Sequence, residues 1–257
     1  MRIRSLTIAA AVLASAAVAY AADAPLTDTR LTVHTLVRED IFAGFDGDME
    51  RLARGEKNLQ QLLAQRPNER PLIITWQAGA LAYRAALARE AGRNDEYQRL
   101  YKQAVALFDD AKASGLAGIA PLYAPSTLLF ADRFAPEDRP AAYARAYEGY
   151  QAVWAQQGTV VDQLPLHMKG ELLSGLAQVA QRTGRTDEMN KHLDKMLVSL
   201  AGSPYEATAR RWKEDPKAAS GSMVICKNCH DAGRLAPTLA RLDAAAAARA
   251  AAPSGSP

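Results

Sequence analysis

Apolar residues between positions 31 and 212 recur at intervals of three and four, and almost nowhere alternate with a period of two. Such a repeat lines up apolar side chains on one face of an α-helix, so the pattern predicts an all-α chain. Its interruptions join residues that stop helices to residues that start them: Gly47-Asp48, residues 67–71, Gly92-Arg-Asn94, Ser114-Gly115, Pro136-Glu137, Gly158, Gly184-Arg-Thr186 and Ser203-Pro204. Glycine closes a helix in the left-handed conformation, and proline or a short polar side chain opens the next. Ser203-Pro-Tyr-Glu206 has the spacing of a capping box with proline at the first helical position. Helices of about fifteen to twenty residues joined by breaks this short pack as antiparallel neighbours. The expected architecture is a row of antiparallel helix hairpins.

One turn is written twice. Ala88-Arg-Glu-Ala-Gly92-Arg-Asn-Asp-Glu96 returns as Ala180-Gln-Arg-Thr-Gly184-Arg-Thr-Asp-Glu188, an offset of 92 residues that extends from Ala85 and Ala177 into Tyr101 and Leu193. In each copy small residues let two helices approach closely, a glycine ends the first helix, and Asn94 or Thr186 is expected to cap the second.

At these positions the chain resembles the tetratricopeptide repeats. Ala85, Ala88, Gly92, Tyr97, Tyr101 and Ala104 follow that family's spacing of small and large residues, and Tyr101-Lys-Gln-Ala104-Val-Ala-Leu107 is very like its second helix. Ala177, Ala180, Gly184, Met189, Leu193 and Met196 fit the same frame. Leu59, Leu62 and Pro67 look like the end of a further unit, and Tyr143, Tyr147, Tyr150 and Trp154, spaced as one packed helix face, like a degenerate one. The resemblance covers roughly two-thirds of the body and implies a curved stack of helix pairs whose concave face binds peptides or partner proteins. Both clear units lack the aromatic usual at the fourth position, and Trp76 precedes the frame, so a plain helical bundle stays open.

Ahead of this body, residues 1–21 read as a secretory signal peptide. Arg2 and Arg4 give a positive start, residues 6–18 form an uncharged apolar run, and Ala19-Tyr20-Ala21 is an A-x-A cleavage site. The run is shorter than the ~20 residues of a membrane span. No cysteine at the cleavage site offers a lipid anchor, and no later stretch is apolar enough to span. A periplasmic or secreted protein without a membrane span in its mature chain is expected, in a compartment where thiols meet oxidants. Losing Arg2 and Arg4 takes the formal charge from +3 to +1, with 29 basic against 28 acidic residues and no basic stripe, which argues against nucleic acid as a partner. Residues 22–212 are then the repeat body, residues 213–222 a polar, Gly-Ser-bearing linker, and residues 223–257 a separate segment with an Ala-rich tail and one short helix from 237 to about 250.

That last segment holds the chemistry. Both cysteines of the chain lie in Cys226-Lys-Asn-Cys229-His230, the C-x-x-C-H of c-type haem attachment. Two thiols three residues apart on a tight turn reach the two vinyl groups of one haem edge, and the adjacent imidazole falls beneath the iron. Haem is attached in this way after export, which the leader supplies. On this reading Cys226 and Cys229 form the thioethers and His230 is the proximal iron ligand. The likeness to cytochromes c is confined to the motif, because the 27 residues after His230 contain neither Met nor His. A sixth ligand would have to come from elsewhere, from His192, His167, His34, Met168, Met189, Met196 or Met223. Met189 and Met196 occupy core positions. His192, beside Leu193, is expected to face the haem segment folded back over the last hairpin, and Arg234 is placed to pair with a propionate.

Other uses of the motif are a zinc site of Cys226, Cys229 and His230 with a recruited fourth ligand, a redox pair that here lacks its strand-helix setting, and a small-loop disulfide of little stabilising effect. G-x-S-x-G, a phosphate-binding glycine loop and H-E-x-x-H are all absent from the sequence. The acidic pairs Asp109-Asp110 and Glu137-Asp138 are expected to serve helix ends. The sequence therefore reads as an exported monohaem electron carrier whose helical body docks a protein partner at its concave face and meets a redox partner. The alternative is an interaction scaffold whose C-x-x-C-H binds zinc or is vestigial. A haem enzyme such as a peroxidase finds no distal acid or base to name.

Overall fold

The structure, a computed structural model, describes residues 25–116, 118–217 and 235–251. Among the described residues the regular structure is helical and no strand occurs. The helices are α1 (Val33–Phe45), α2 (Met49–Gln65), α3 (Arg70–Glu90), α4 (Asn94–Ala113), α5 (Ala120–Leu128), α6 (Arg139–Gln157), α7 (Leu166–Arg182), α8 (Thr186–Ser199), α9 (Pro204–Glu214) and α10 (Leu235–Ala251). Pairing is strongest between α3 and α4, α5 and α6, α1 and α2, and α7 and α8, with α9 laid on α8 and α7. A row of antiparallel hairpins is therefore the observed all-α fold. Adjacent hairpins touch through α1 with α3, α3 with α5, and α6 with α7, so the core runs along the whole row.

The repeated turn is built identically in both copies. Gly92 and Gly184 stand at φ +73° and +75°. Arg93 N donates to Ala88 O and Gly92 N to Arg89 O, just as Arg185 N donates to Ala180 O and Gly184 N to Gln181 O. These are the two bonds of a Schellman cap, which satisfies the last carbonyls of α3 and α7. Ala85, Ala88, Ala177 and Ala180 are fully buried at the approach of the paired helices, as the small-residue reading requires.

The caps at the other end differ from expectation. Asn94 and Thr186 are first helical residues; the cap positions are Arg93 and Arg185, and neither makes a side-chain cap bond. The first turns carry Asp95, Glu96, Asp187 and Glu188 instead, which complement the positive helix ends. The expected capping box does not form at α9. Ser203 Oγ turns away to Leu200 O, and Glu206 accepts from Gly202 N, one residue before the cap. The acidic pairs are cross-links more than caps: Asp110 pairs with Arg70, Asp109 with Arg145, and Asp138 accepts from Tyr97 Oη.

The chain before α1 is tied down by Arg66, whose guanidinium donates to Leu31 O, Leu26 O and Asp28 O. Nearby, the buried Asp40 of α1 receives both Arg51 and Arg54 of α2. Lys213, placed in a linker by the sequence, is helical and pairs with Asp194. The tail helix forms where expected, and α10 packs beside α1, with Leu239 and Leu242 against the core and Asp243 accepting from Arg30. Residues 218–222 of the linker and the C-x-x-C-H motif lie outside the described residues.

Candidate functional site

The first helices of the hairpins converge on a cavity of about 520 Å³. His34 and Phe42 of α1, Trp76 of α3, Leu122 of α5, and His167 and Glu171 of α7 are in its wall. Each helix offers residues spaced by three, four or multiples of these, the periodicity that keeps one face turned inward. The wall is largely aromatic and aliphatic. Phe42 meets Trp76 edge-on at 5.8 Å, and the His34 ring lies tilted on Trp76 at 5.4 Å.

Its polar part is a short relay. Tyr205 packs from α9 against α7, and Gly170 makes room for it, since a Cβ there would collide with the phenol ring. Tyr205 Oη donates to Glu171 Oε1 at 2.9 Å and lies 3.0 Å from His167 Nδ1. His167 Nδ1 and the Tyr205 hydroxyl share this hydrogen bond, the donor being set by the imidazole tautomer. Burial pushes the Glu171 carboxyl up to about 8 against the opposing bond from Tyr205. His34 faces the cavity but is crowded by its apolar wall; that desolvation, and then Arg38, depress its pKa below the ordinary value. Near neutral pH both groups are therefore uncharged.

His192 is elsewhere. Its ring is 5% exposed, stands edge-on to Trp154 at 5.5 Å, and has Nε2 3.7 Å from Glu188 Oε1. Glu188 also accepts from Tyr147 and Gln151 of α6, so His192 belongs to a polar seam between α6 and α8 and is not part of the cavity wall. Desolvation depresses its pKa, with Glu188 opposing. Met189 and Met196 are buried in the core, as their repeat positions predict. Of the other sixth-ligand candidates, His34, His167 and Met168 all line the cavity, which brings together residues that are far apart in sequence. Cys226, Cys229, His230, Met223 and Arg234 lie outside the described residues. Among the described residues, no group of three or more His, Cys, Asp or Glu is arranged to hold a metal ion, and no helix is long and apolar enough to cross a membrane.

Glu171 and Tyr205 are not singled out by motif. The signal available for Glu171 is its place four residues after His167, which puts both on one face of α7. Tyr205 has none, since its role depends on where α9 packs.

No protein-family model, curated protein or solved structure matches the chain.

Proposed function

We propose that this protein is an exported one-electron carrier with a single covalent haem c on Cys226 and Cys229, His230 as proximal ligand, and a helical-hairpin body, of the tetratricopeptide type, that docks a protein partner. One observation carries the reading: Cys226-Lys-Asn-Cys229-His230 occurs behind a leader with the features of an export signal. Bound haem c supplies the Fe(III)/Fe(II) couple, tuned by its axial ligands and the polarity around it. The body offers a fitting environment, because the cavity has an apolar wall, room within the ~300–1,000 Å³ typical of small-molecule sites, and imidazoles in that wall.

The test is expression of the full chain with a haem c maturation system, followed by mass spectrometry of the exported product. One haem on a chain starting near Ala22 supports the reading, and Cys226→Ala with Cys229→Ala abolishes the addition. A colourless protein with one zinc per chain favours the scaffold instead. That second reading draws on the exposed Met168, 45% accessible, in the cavity wall on α7.

A further inference from the structure

We propose that the cavity walled by α1, α3, α5, α6 and α7 is a binding site for a small, neutral, ring-bearing apolar molecule, and that Gly79 is the wall position kept bare to admit it. The haem reading rests on the motif and the leader, so this site stands or falls separately from it.

Gly79 is the leading observation. It is buried near the middle of α3, a helix of 21 residues, and it lines the cavity. Its φ is not positive, so no turn requires a glycine there. A Cβ built on it meets nothing within 4 Å, so no close packing requires one either. At Gly55, Gly170 and Gly175, by contrast, a neighbouring side chain already stands where the Cβ would go. Glycine inside a helix is destabilising relative to alanine. Neither backbone nor packing accounts for a residue that weakens its own helix, whereas open space beside it does.

Volume and chemistry define the occupant. The cavity holds about 520 Å³, within the ~300–1,000 Å³ of small-molecule sites. A helix is about 10–12 Å across, so little more than one turn of it would fill that space, which favours a ring system over a docked peptide helix. The wall contains no lysine, arginine or aspartate, so a charged ligand would be buried without a fixed counter-charge. Burial pushes the Glu171 carboxyl up to about 8, and desolvation holds His34 below its ordinary value, so both are neutral near pH 7. Phe42 meets Phe45 edge-on at 5.3 Å and Trp76 at 5.8 Å, which offers rings to a ring. Gln157, in the same wall, supplies an uncharged polar contact.

The experiment titrates the full chain, exported without a haem maturation system, with two dyes that share a ring system: neutral N-phenylnaphthylamine and anionic anilinonaphthalene sulfonate. Saturable binding of one neutral dye per chain is expected, with the anion weaker by about tenfold or more. Gly79→Leu should weaken the neutral dye by about tenfold while melting no lower than the wild type, because leucine suits a helix and enters empty space. If leucine does not fold there, Gly79→Ala decides, with a weakening of about threefold for one added methyl. Wild-type affinity in the folded variant overturns the proposal, as do equal affinities for the two dyes. Displacement of the neutral dye by benzyltrimethylammonium would show a cation site and overturn it too. The matured chain should bind the same dye by calorimetry; loss of binding on haem attachment would make the cavity the haem's own and overturn a separate site. None of these outcomes bears on whether Cys226 and Cys229 carry haem, which intact mass reads independently.

Discussion

Tyr205 on α9 donates its phenol proton to Glu171 Oε1 on α7 across 2.9 Å, beside a carboxyl that burial keeps protonated up to about pH 8. The unfolded carboxyl titrates near 4.5. Between those values the folded protein holds a proton that the unfolded chain releases, so the contribution of Glu171 to stability is full at low pH and is lost as pH rises through about 8. His34 and His192 have depressed values and act in the opposite direction, but only below about pH 6.5. Denaturant unfolding of the full chain from pH 6.5 to 8 isolates Glu171. A loss of about 1 kcal/mol over that interval is expected, allowing for the partial exposure of the carboxyl, and Glu171→Gln should remove the slope.

A different contact sets the spacing of α6 and α7. The Tyr150 ring occupies the place where a Cβ on Gly175 would stand. Gly175→Ala should cost about 1–3 kcal/mol, as overpacking of a closed core does. Gly170→Ala should do the same to Tyr205 and also break the His167 relay. Equilibrium unfolding at fixed pH checks both.

Gly92 and Gly184 bear the opposite kind of constraint. Nothing lies within 4 Å of a Cβ built on either, yet both have positive φ. Alanine at either position should cost about 1 kcal/mol through backbone strain alone, with equal effects at the two sites because the turns share their hydrogen bonds. A difference of more than twofold would show that the two turns are not equivalent.

These turns were legible in the sequence because a turn is local: Gly92 and Gly184 need only their own neighbours to declare a helix end. The hairpin row was legible for the same reason, helix by helix. The cavity was not, since His34, Trp76, Leu122 and His167 come to one wall only after the hairpins have stacked, and no periodicity reports that stacking. The caps were misread because Asn94 and Thr186 have side chains suited to capping, while the chain leaves its left-handed glycine one residue too early to put them there. Burial of His192 follows from its position next to Leu193 only once α6 is known to lie over it with Trp154.

Arg66 holds the chain before α1 by three carbonyls. Arg66→Met should leave those carbonyls without their donor and cost about 2 kcal/mol. Amide exchange should quicken over residues 26–31. Because Arg30 lies in this segment and bonds Asp243, exchange in α10 should quicken as well. Normal protection of α10 in the variant would show that Leu239 and Leu242 suffice to seat it.

The most direct test of the account is the intact mass of the exported protein matured with haem c. The account predicts a chain beginning near Ala22 that carries one haem resistant to acid and organic extraction, lost when Cys226 and Cys229 are both replaced by alanine. An exported chain with two free thiols, or one carrying stoichiometric zinc and no haem, contradicts it.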